Sequence, residues 1–121
     1  MSKFRIRQVP SGFKFDLKAP NGRVVFTSEV YTTAAACRKG IASVRAHAPD
    51  AALEDRTEEG WVNRRNPKFE LYRDKGGDFR FRLKARNGKV IGISDGYATR
   101  TGALGGVDSV MHSAAEAEIE E

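Results

Sequence analysis

The side chains able to do nucleophilic, acid–base or metal chemistry are few, because this chain of 121 residues has one cysteine and two histidines. Cys37 falls on the apolar stripe of a predicted helix, which is typical of a small buried residue. A cysteine nucleophile needs a partner base, but His47 and His112 lie near the ends of two predicted helices at positions that are not equivalent. Two histidines and one cysteine without clustered spacing also make a poor metal site. We therefore expect no enzyme, no catalytic residue, no metal and no cofactor.

Hydroxyl side chains gather before both predicted helices, in the two sets Ser28, Tyr31, Thr33 and Ser94, Tyr97, Thr99. Each set lies where a strand leads into a helix, and a helix N-terminus is a natural site for an anion. The alternative is purely local: the threonine caps the helix, the serine closes a turn and the tyrosine anchors the helix on the sheet. Both interpretations stay open from the sequence.

Basic residues alternate with apolar ones along the predicted strands. If the phenylalanines point toward the helices, the opposite face of the sheet carries Lys3, Arg5, Arg7, Lys14, Lys18, Arg80, Arg82, Lys84 and Arg86. Such a surface can follow a phosphate backbone. The alternative is that the charges keep an open sheet hydrated and block edge pairing. Only Tyr72 is expected to point outward among them, so the aromatic platform of sheet-based RNA binders is missing.

These residues are positioned by a stretch that the chain contains twice, as residues 13–24 and 79–90. Each copy alternates large apolar with mostly charged residues and then breaks at Asn-Gly, which predicts a hairpin with one buried face. A shift of 66 residues aligns 13–51 with 79–117 without gaps, and 16 of the 39 positions are identical. This indicates a duplication. Two copies are too few for a solenoid, so we expect a pseudo-two-fold pair.

The order of elements in each copy is predicted as β-β-β-α-β. Thr33 and Thr99 are the expected N-caps, and the helices carry the apolar stripes Cys37, Ile41, Val44, Ala48 and Ala103, Val107, Val110, Ala114. The third strands are apolar on both faces, which predicts either a covered central strand or an exposed apolar strip. Gly40 and Gly106 lie mid-helix, where glycine costs about 1 kcal/mol relative to alanine. We expect another backbone to approach closely there.

The boundaries follow from composition. Residues 1–56 form the predicted first repeat, the polar residues 57–67 a linker, and 68–121 the second repeat. A short edge-type strand is expected in each tail, Ala52–Arg56 and Ala117–Glu121. Trp61, inside the linker, is expected to pack over an edge of the core.

Charge and hydropathy bound the function only loosely. The net charge is +5 with a pI near 9.6, and the charge is segregated, since the last 21 residues hold five acids and no base. That is a weak hint of an anionic partner. No apolar run approaches the roughly 20 residues of a membrane span, and the charged, alternating N-terminus indicates a strand rather than a signal peptide. A lone cysteine suits the reducing cytoplasm, which is the expected location.

The pattern Phe-x-Phe-x-Leu-Lys-Ala-x-Asn-Gly-x-Val, followed by Ser-x-x-Tyr-x-Thr and a helix with Gly-Ile/Val-x-Ser-Val, resembles the YegP-like family of uncharacterised bacterial proteins. The similarity covers both copies and nearly the whole chain outside the linker. It implies a β(3)-α-β unit, present as a tandem repeat or as two subunits, whose units share one sheet and exchange their C-terminal strands. The family has no assigned molecular function, so the resemblance supplies no site residues. The second copy departs at Gly92-Ile93, where the first has Phe26-Thr27.

We therefore expect an α+β protein of two tandem β-β-β-α-β repeats, with one shared antiparallel sheet, exchanged C-terminal strands and both helices on one face. Its function is predicted as a small non-catalytic structural or protein-interaction module. The alternative is a weak, low-specificity binder of nucleic acid or another polyanion through the basic sheet face. The partner is therefore a protein or a nucleic acid and not a membrane, and the chain is expected to be a monomer built as an internal pseudo-dimer.

Overall fold

A computed structural model of the chain describes residues 2–120. The first half contains β1 (Lys3–Val9), β2 (Gly12–Lys18), β3 (Val24–Ser28), helix α1 (Ala34–His47), a 3-10 turn (Ala48–Asp50) and β4 (Ala52–Asp55). The second half contains β5 (Lys68–Arg73), β6 (Phe79–Lys84), β7 (Val90–Ile93), helix α2 (Arg100–Ser113) and β8 (Glu118–Glu120). The same order of elements thus occurs in both halves. Each helix has 14 residues, and neither described helix is long and apolar enough to cross a bilayer.

All eight strands form one sheet in the order β4-β5-β6-β7-β3-β2-β1-β8. The inner pairs are antiparallel, but the outer pairs β4–β5 and β1–β8 are parallel, so the expected antiparallel sheet is corrected to a mixed one. The length of the linker gives the physical reason. A parallel neighbour needs a crossover of about a dozen residues, and residues 56–67 supply it between β4 and β5.

The C-terminal strand of each half pairs with the first strand of the other half. β4 lies beside β5, and β8 lies beside β1. Side chains from the helices hold both tails in place: Arg45 of α1 donates a hydrogen bond to the Ala117 carbonyl, and Arg100 of α2 pairs with Asp55. Neither half therefore completes its own part of the sheet.

Both helices pack on one face of the sheet and share one core. The helix stripes are buried, and they meet phenylalanines and leucines of the strands, all fully buried or nearly so: Phe4, Phe15, Leu17, Phe26, Phe69, Leu71, Phe81 and Leu83. Phe26 of the first half stacks on Phe81 of the second with ring centroids 6.3 Å apart. The core therefore runs continuously across the junction between the halves.

The glycines in the middle of the helices contact aromatic rings rather than a backbone, which corrects the expectation. A Cβ added at Gly40 would lie 2.2 Å from the Tyr31 hydroxyl oxygen, and one at Gly106 would lie 2.6 Å from that of Tyr97. Both tyrosines sit between β2 or β6 and a helix, through the bridges Phe13–Tyr31 and Phe79–Tyr97. The missing side chain makes room for the ring.

Strands β3 and β7 lie at the centre of the sheet. Val25 and Ile91 lie at register shifts in these strands and belong to the buried core. On the helix-free side, Thr27 and Ile93 pair with Asp16 and Arg82 of the neighbouring strands, and both are half-buried. Long charged side chains on the neighbouring strands can lay their aliphatic stems over such apolar residues while keeping their charges in water. The helix-free side of the central strands is therefore half-buried, neither fully covered nor a bare apolar strip.

Candidate functional site

The face of the sheet opposite the helices, called the open face below, carries the predicted basic residues. On β1 and β2 the register pairs Lys3 with Lys18, Arg7 with Lys14 and Arg5 with Asp16. On the other half of the sheet the same face carries Arg80, Arg82 and Lys84 of β6 beside Lys68, Glu70 and Tyr72 of β5. Arg86 lies beyond the end of β6, in the turn that leads to β7. The structure thus brings the predicted cations onto one face, apart from Arg86.

Two buried carboxylates bind the cations of the second half of this face. Glu54 and Glu70 have fully buried side chains and lie side by side across β4 and β5. We call these two glutamates and the four cations around them the buried charge cluster: Glu54, Arg56, Lys68, Glu70, Arg82 and Lys84. Four of its ion-pair distances are 2.7 Å for Arg56–Glu54, 2.8 Å for Arg56–Glu70, 2.8 Å for Lys68–Glu54 and 3.4 Å for Lys84–Glu70.

The cluster keeps both carboxylates ionised. Burial raises the pKa of the Glu54 carboxyl, but hydrogen bonds from Lys68, the Arg64 backbone N–H and Arg56 outweigh that cost and bring the pKa down to about 2. Burial also opposes ionisation of Glu70, and the guanidinium of Arg82 holds the pKa of that carboxyl below its usual range. Arg64 belongs to the linker, which therefore reaches the open face and helps to cover Glu54. The predicted binding residues Arg82 and Lys84 are occupied by these internal contacts.

The first half of the open face has no such buried pair. Its one acid in β1 and β2, Asp16, accepts hydrogen bonds from Arg7 Nε at 2.9 Å and from the Thr27 hydroxyl at 2.9 Å. Lys3 meets Glu120 of β8 at 3.7 Å, with both side chains close to half exposed. Arg5, Lys14 and Lys18 have no carboxylate within 4.0 Å in the part of the chain that the structure describes.

In each hydroxyl set the serine, the tyrosine and the threonine make different local contacts. Ser28 Oγ accepts a hydrogen bond from the Phe15 N–H and donates one to the Glu29 carbonyl, and Ser94 makes the same two contacts with Phe81 and Asp95. Thr33 and Thr99 accept from the N–H groups of Ala36 and Gly102, as N-caps. The tyrosine rings lie against the helix glycines. The three hydroxyls of a set are therefore not brought together around a ligand position.

The remaining reactive side chains are also held locally. Cys37 is buried, and burial raises the pKa of its thiol. His47 and His112 contact the carbonyls of Ser43 and Asp108 one turn earlier in their own helices. Among residues 2–120 no three His, Cys, Asp or Glu side chains lie together as a metal site would require.

A surface feature that the sequence analysis missed lies at the free edge of β4. A hollow of about 230 Å³, called the linker hollow, is lined by Leu53, Asp55, Glu58, Glu59, Gly60, Trp61, Val62 and Arg64. It contains three of the five exposed large apolar side chains among residues 2–120, with Leu53 38%, Trp61 41% and Val62 58% exposed. The sequence predicts that Trp61 packs over the core edge, but its ring lies under the Arg56 guanidinium, 4.6 Å from the ring centroid. The adjacent pair Trp61-Val62 inside a polar linker was the available signal.

These features define a small α+β protein with one mixed eight-stranded sheet, two helices on one side and a charged open face on the other. The chain belongs to a family described as a domain of unknown function, DUF1508, whose model matches residues 11–55 and 74–121. The resemblance to the YegP-like family is thereby confirmed. The UPF0339 protein YegP of Yersinia pestis is 35% identical over 112 residues, which cover 92% of this chain and 87% of that protein.

Further relatives support the same assignment. A UPF0339 protein of Photorhabdus laumondii is 40% identical over 99 residues, covering 82% of this chain and 74% of the relative. The solution NMR structure of YegP from E. coli, itself described as a protein of unknown function, has 33% identity, a TM-score of 0.79 and coverage of 98% of this chain and 90% of that chain. These comparisons supply the fold and the family, and their names carry no activity.

Proposed function

We propose that this protein is a non-catalytic protein-interaction module, which binds an extended segment of a partner along the free edge of β4 and the linker hollow. The observation that carries the proposal is the clustering of exposed Leu53, Trp61 and Val62 in one hollow beside an edge strand. Exposed apolar side chains grouped in this way are typical of interaction sites. A single buried cysteine supports a reducing compartment, so we place the protein in the cytoplasm.

The duplication is part of this proposal. Equivalent N-caps, equivalent serine contacts and equivalent tyrosine–glycine packing in both halves support descent from one β-β-β-α-β unit. In the proposed monomer the two units form an internal pair. The linker joins β4 to β5 and lines the hollow. The hollow therefore occurs at the edge of only one of the two units.

The backbone of β4 supports the addition of a strand. The N–H groups of Ala52 and Arg56 donate to the carbonyls of Pro67 and Leu71 on the β5 side. Because successive backbone groups of a strand alternate in direction, the N–H groups of Leu53 and Asp55 point away from β5, toward the free edge. An extended peptide can pair with such an edge through its main chain and place alternate side chains in adjacent pockets.

The charge of the hollow indicates the chemistry of the partner. Its lining holds three acids, Asp55, Glu58 and Glu59, and one basic residue, Arg64. Arg100 pairs with Asp55 and Glu58, while Glu59 has no ion-pair partner within 4.0 Å among residues 2–120. A segment that alternates apolar and basic side chains fits this lining. A second copy of the chain fits poorly, because its other edge strand β8 presents Glu118 and Glu120.

The test uses a synthetic peptide of alternating lysine and valine, with a matched peptide of alternating glutamate and valine as its control. Trp61 is the single tryptophan of the chain, so its fluorescence reports occupation of the hollow. We expect the lysine peptide alone to change this fluorescence saturably. No change with the lysine peptide, or an equal change with the glutamate peptide, would refute the proposal.

Variants separate the two parts of the site. Leu53→Pro removes an outward N–H while sparing the β5 ladder, since proline is accepted on an edge strand, and Leu53→Ala is its control for the lost side chain. We expect the proline variant to bind more weakly than the alanine variant. Glu58→Gln with Glu59→Gln should weaken binding about fivefold, from roughly 0.5 kcal/mol for each exposed charge pair. Equal affinity of all four proteins would show that the peptide binds elsewhere.

A further inference from the structure

The first half of the open face is a separate surface, far along the sheet from the β4 edge. It carries five cations on β1 and β2: Lys3, Arg5, Arg7, Lys14 and Lys18. Arg7 pairs with Asp16, and Lys3 pairs with Glu120. Arg5, Lys14 and Lys18 have no acidic partner among residues 2–120. We call this set of five the first-half face.

The register sets the spacing of these charges. Lys3/Lys18, Arg5/Asp16 and Arg7/Lys14 are successive rows on one side of two paired strands. Rows on the same face are two residues apart, or about 6.7 Å. Cations therefore occur in every row, and Asp16 is occupied by Arg7 and by the Thr27 hydroxyl.

Acidic residues bound the surface on both sides. Glu118 and Glu120 of β8 lie beyond β1. Toward the centre of the sheet a groove of about 430 Å³ is lined by Arg7, Lys14 and Arg80 but also by Glu29 and Asp95. An anionic ligand is therefore better matched to β1 and β2 than to the mixed charges at the centre of the sheet or to the acidic β8 edge.

We propose that the first-half face binds the phosphate backbone of duplex nucleic acid without sequence preference. Three cations without acidic partners can each replace a condensed counterion on a phosphate. Single-stranded nucleic acid is a poorer fit, because its sequence-tolerant binding uses exposed aromatic rings for stacking. No aromatic side chain of the described chain lies on this half of the open face, where β1, β2 and β3 present charged residues, Val24 and Thr27. An acidic protein is also less well matched, since protein interfaces use buried aromatic or apolar anchors.

The test measures binding of a short mixed-sequence duplex DNA by fluorescence anisotropy over a range of salt concentrations. The variant carries Arg5→Gln, Lys14→Gln and Lys18→Gln. Its control carries Lys39→Gln, Lys75→Gln and Lys89→Gln, which removes the same net charge from exposed positions elsewhere. Thermal melting followed by circular dichroism verifies that both proteins are folded.

We expect the slope of log affinity against log salt to fall by about 0.9 for each phosphate that the first variant no longer neutralises, and to change little in the control. Equal slopes in the two variants, or no binding of the unmodified protein at low salt, would overturn the proposal. Tighter binding of the single strand would also contradict it. Competition by polyglutamate at an equal concentration of negative charge would instead assign the surface to an acidic protein.

Discussion

The two halves of the open face present the same strands but opposite arrangements of charge. In the second half Glu70 on β5 faces Arg82 on β6, whereas in the first half Arg5 on β1 faces Asp16 on β2. Glu70, the second-half acid, is fully buried and surrounded by cations, and the linker donates a hydrogen bond to its neighbour Glu54. The first-half cation remains exposed. The cations in one half of the face therefore have internal partners, whereas Arg5, Lys14 and Lys18 in the other half are left to interact with solvent or a ligand.

This difference shows why counting basic residues on a face is a poor guide to binding. Of the nine basic residues predicted on this face, five are already paired with carboxylates: Lys3, Arg7, Arg80, Arg82 and Lys84. Replacing Arg80, Arg82 and Lys84 would then disturb internal contacts as well as any external one. The residues that inform on binding are those without internal partners.

Cutting the chain between its two halves should have the largest effect on folding. A fragment of residues 1–58 lacks the partner of its own β4 and the strand that pairs with β1, and a unit of this size buries only about 60% of its unfolded surface. We expect it to unfold or to form a homodimer, and we expect added residues 66–121 to restore a folded one-to-one complex. Sedimentation and circular dichroism measure both outcomes.

The control for that experiment removes the exchanged strand. A first fragment ending before Ala51 lacks β4 and should no longer form the complex. A stable folded monomer of residues 1–58 at low concentration would mean that the chain consists of two independent domains, contrary to the shared sheet.

The buried charge cluster should respond to mutation more strongly than its first-half counterpart. Glu70→Gln leaves several cations without their buried carboxylate, which we expect to lower the free energy of unfolding by about 3 kcal/mol. Asp16→Asn removes a partner from Arg7, whose side chain is 42% exposed, and should cost about 1 kcal/mol. Urea unfolding of both variants measures the difference. Equal losses would show that the additional cations around Glu70 have no energetic weight.

The helix glycines test whether the halves share their packing. Gly40→Ala and Gly106→Ala each push a methyl group into a tyrosine ring, so overpacking of about 1–3 kcal/mol should outweigh the gain in helix propensity of about 1 kcal/mol. Gly105→Ala is the matched control, because nothing lies within 4 Å of its added Cβ. We expect it to stabilise the protein. A higher melting temperature for Gly40→Ala or Gly106→Ala would remove the packing explanation.

The strands, hairpins and caps followed from local chemistry and were predictable. Alternation identified the hairpins, and Thr33 and Thr99 were recognisable as caps because a threonine before a helix-forming run offers its oxygen to an N–H. Alternation does not indicate that the outer strands run parallel to their neighbours, although the connection of residues 56–67 is long for a hairpin. The partner of Gly40 was also missed, because a helix glycine indicates a close approach without saying what approaches.

The sequence alone does not show which cations of the second half have internal carboxylate partners. Alternation assigns Glu70 and Arg82 to one face, but their pairing depends on the register between β5 and β6. Glu54 enters the same cluster only because β4 crosses to the other half. Long-range pairings of this kind decide which cations remain available, so the basic face was overestimated.

The smallest expected effect is the pH dependence of stability that ionised Glu54 in the buried charge cluster produces. The pKa of Glu54 is lowered from 4.5 to about 2 in the folded protein. A depressed carboxyl pKa stabilises the folded state above the unfolded value, and this contribution is lost as the pH falls through the folded value. We therefore expect the stability difference between the unmodified protein and Glu54→Gln to be constant above about pH 5 and to shrink between about pH 4.5 and pH 2. A difference independent of pH in this window would argue against an ionised, buried Glu54.

The central claim, that buried ionised carboxylates bind the cations of the second half of the open face, is tested most directly by NMR titration of the glutamate side-chain carbons. The account predicts that the Glu54 carboxyl titrates with a pKa near 2 and that the pKa of Glu70 lies below its usual value of 4.5. Titration of both near 4.5 would contradict it, because the cations of the second half would then not be committed to the glutamates.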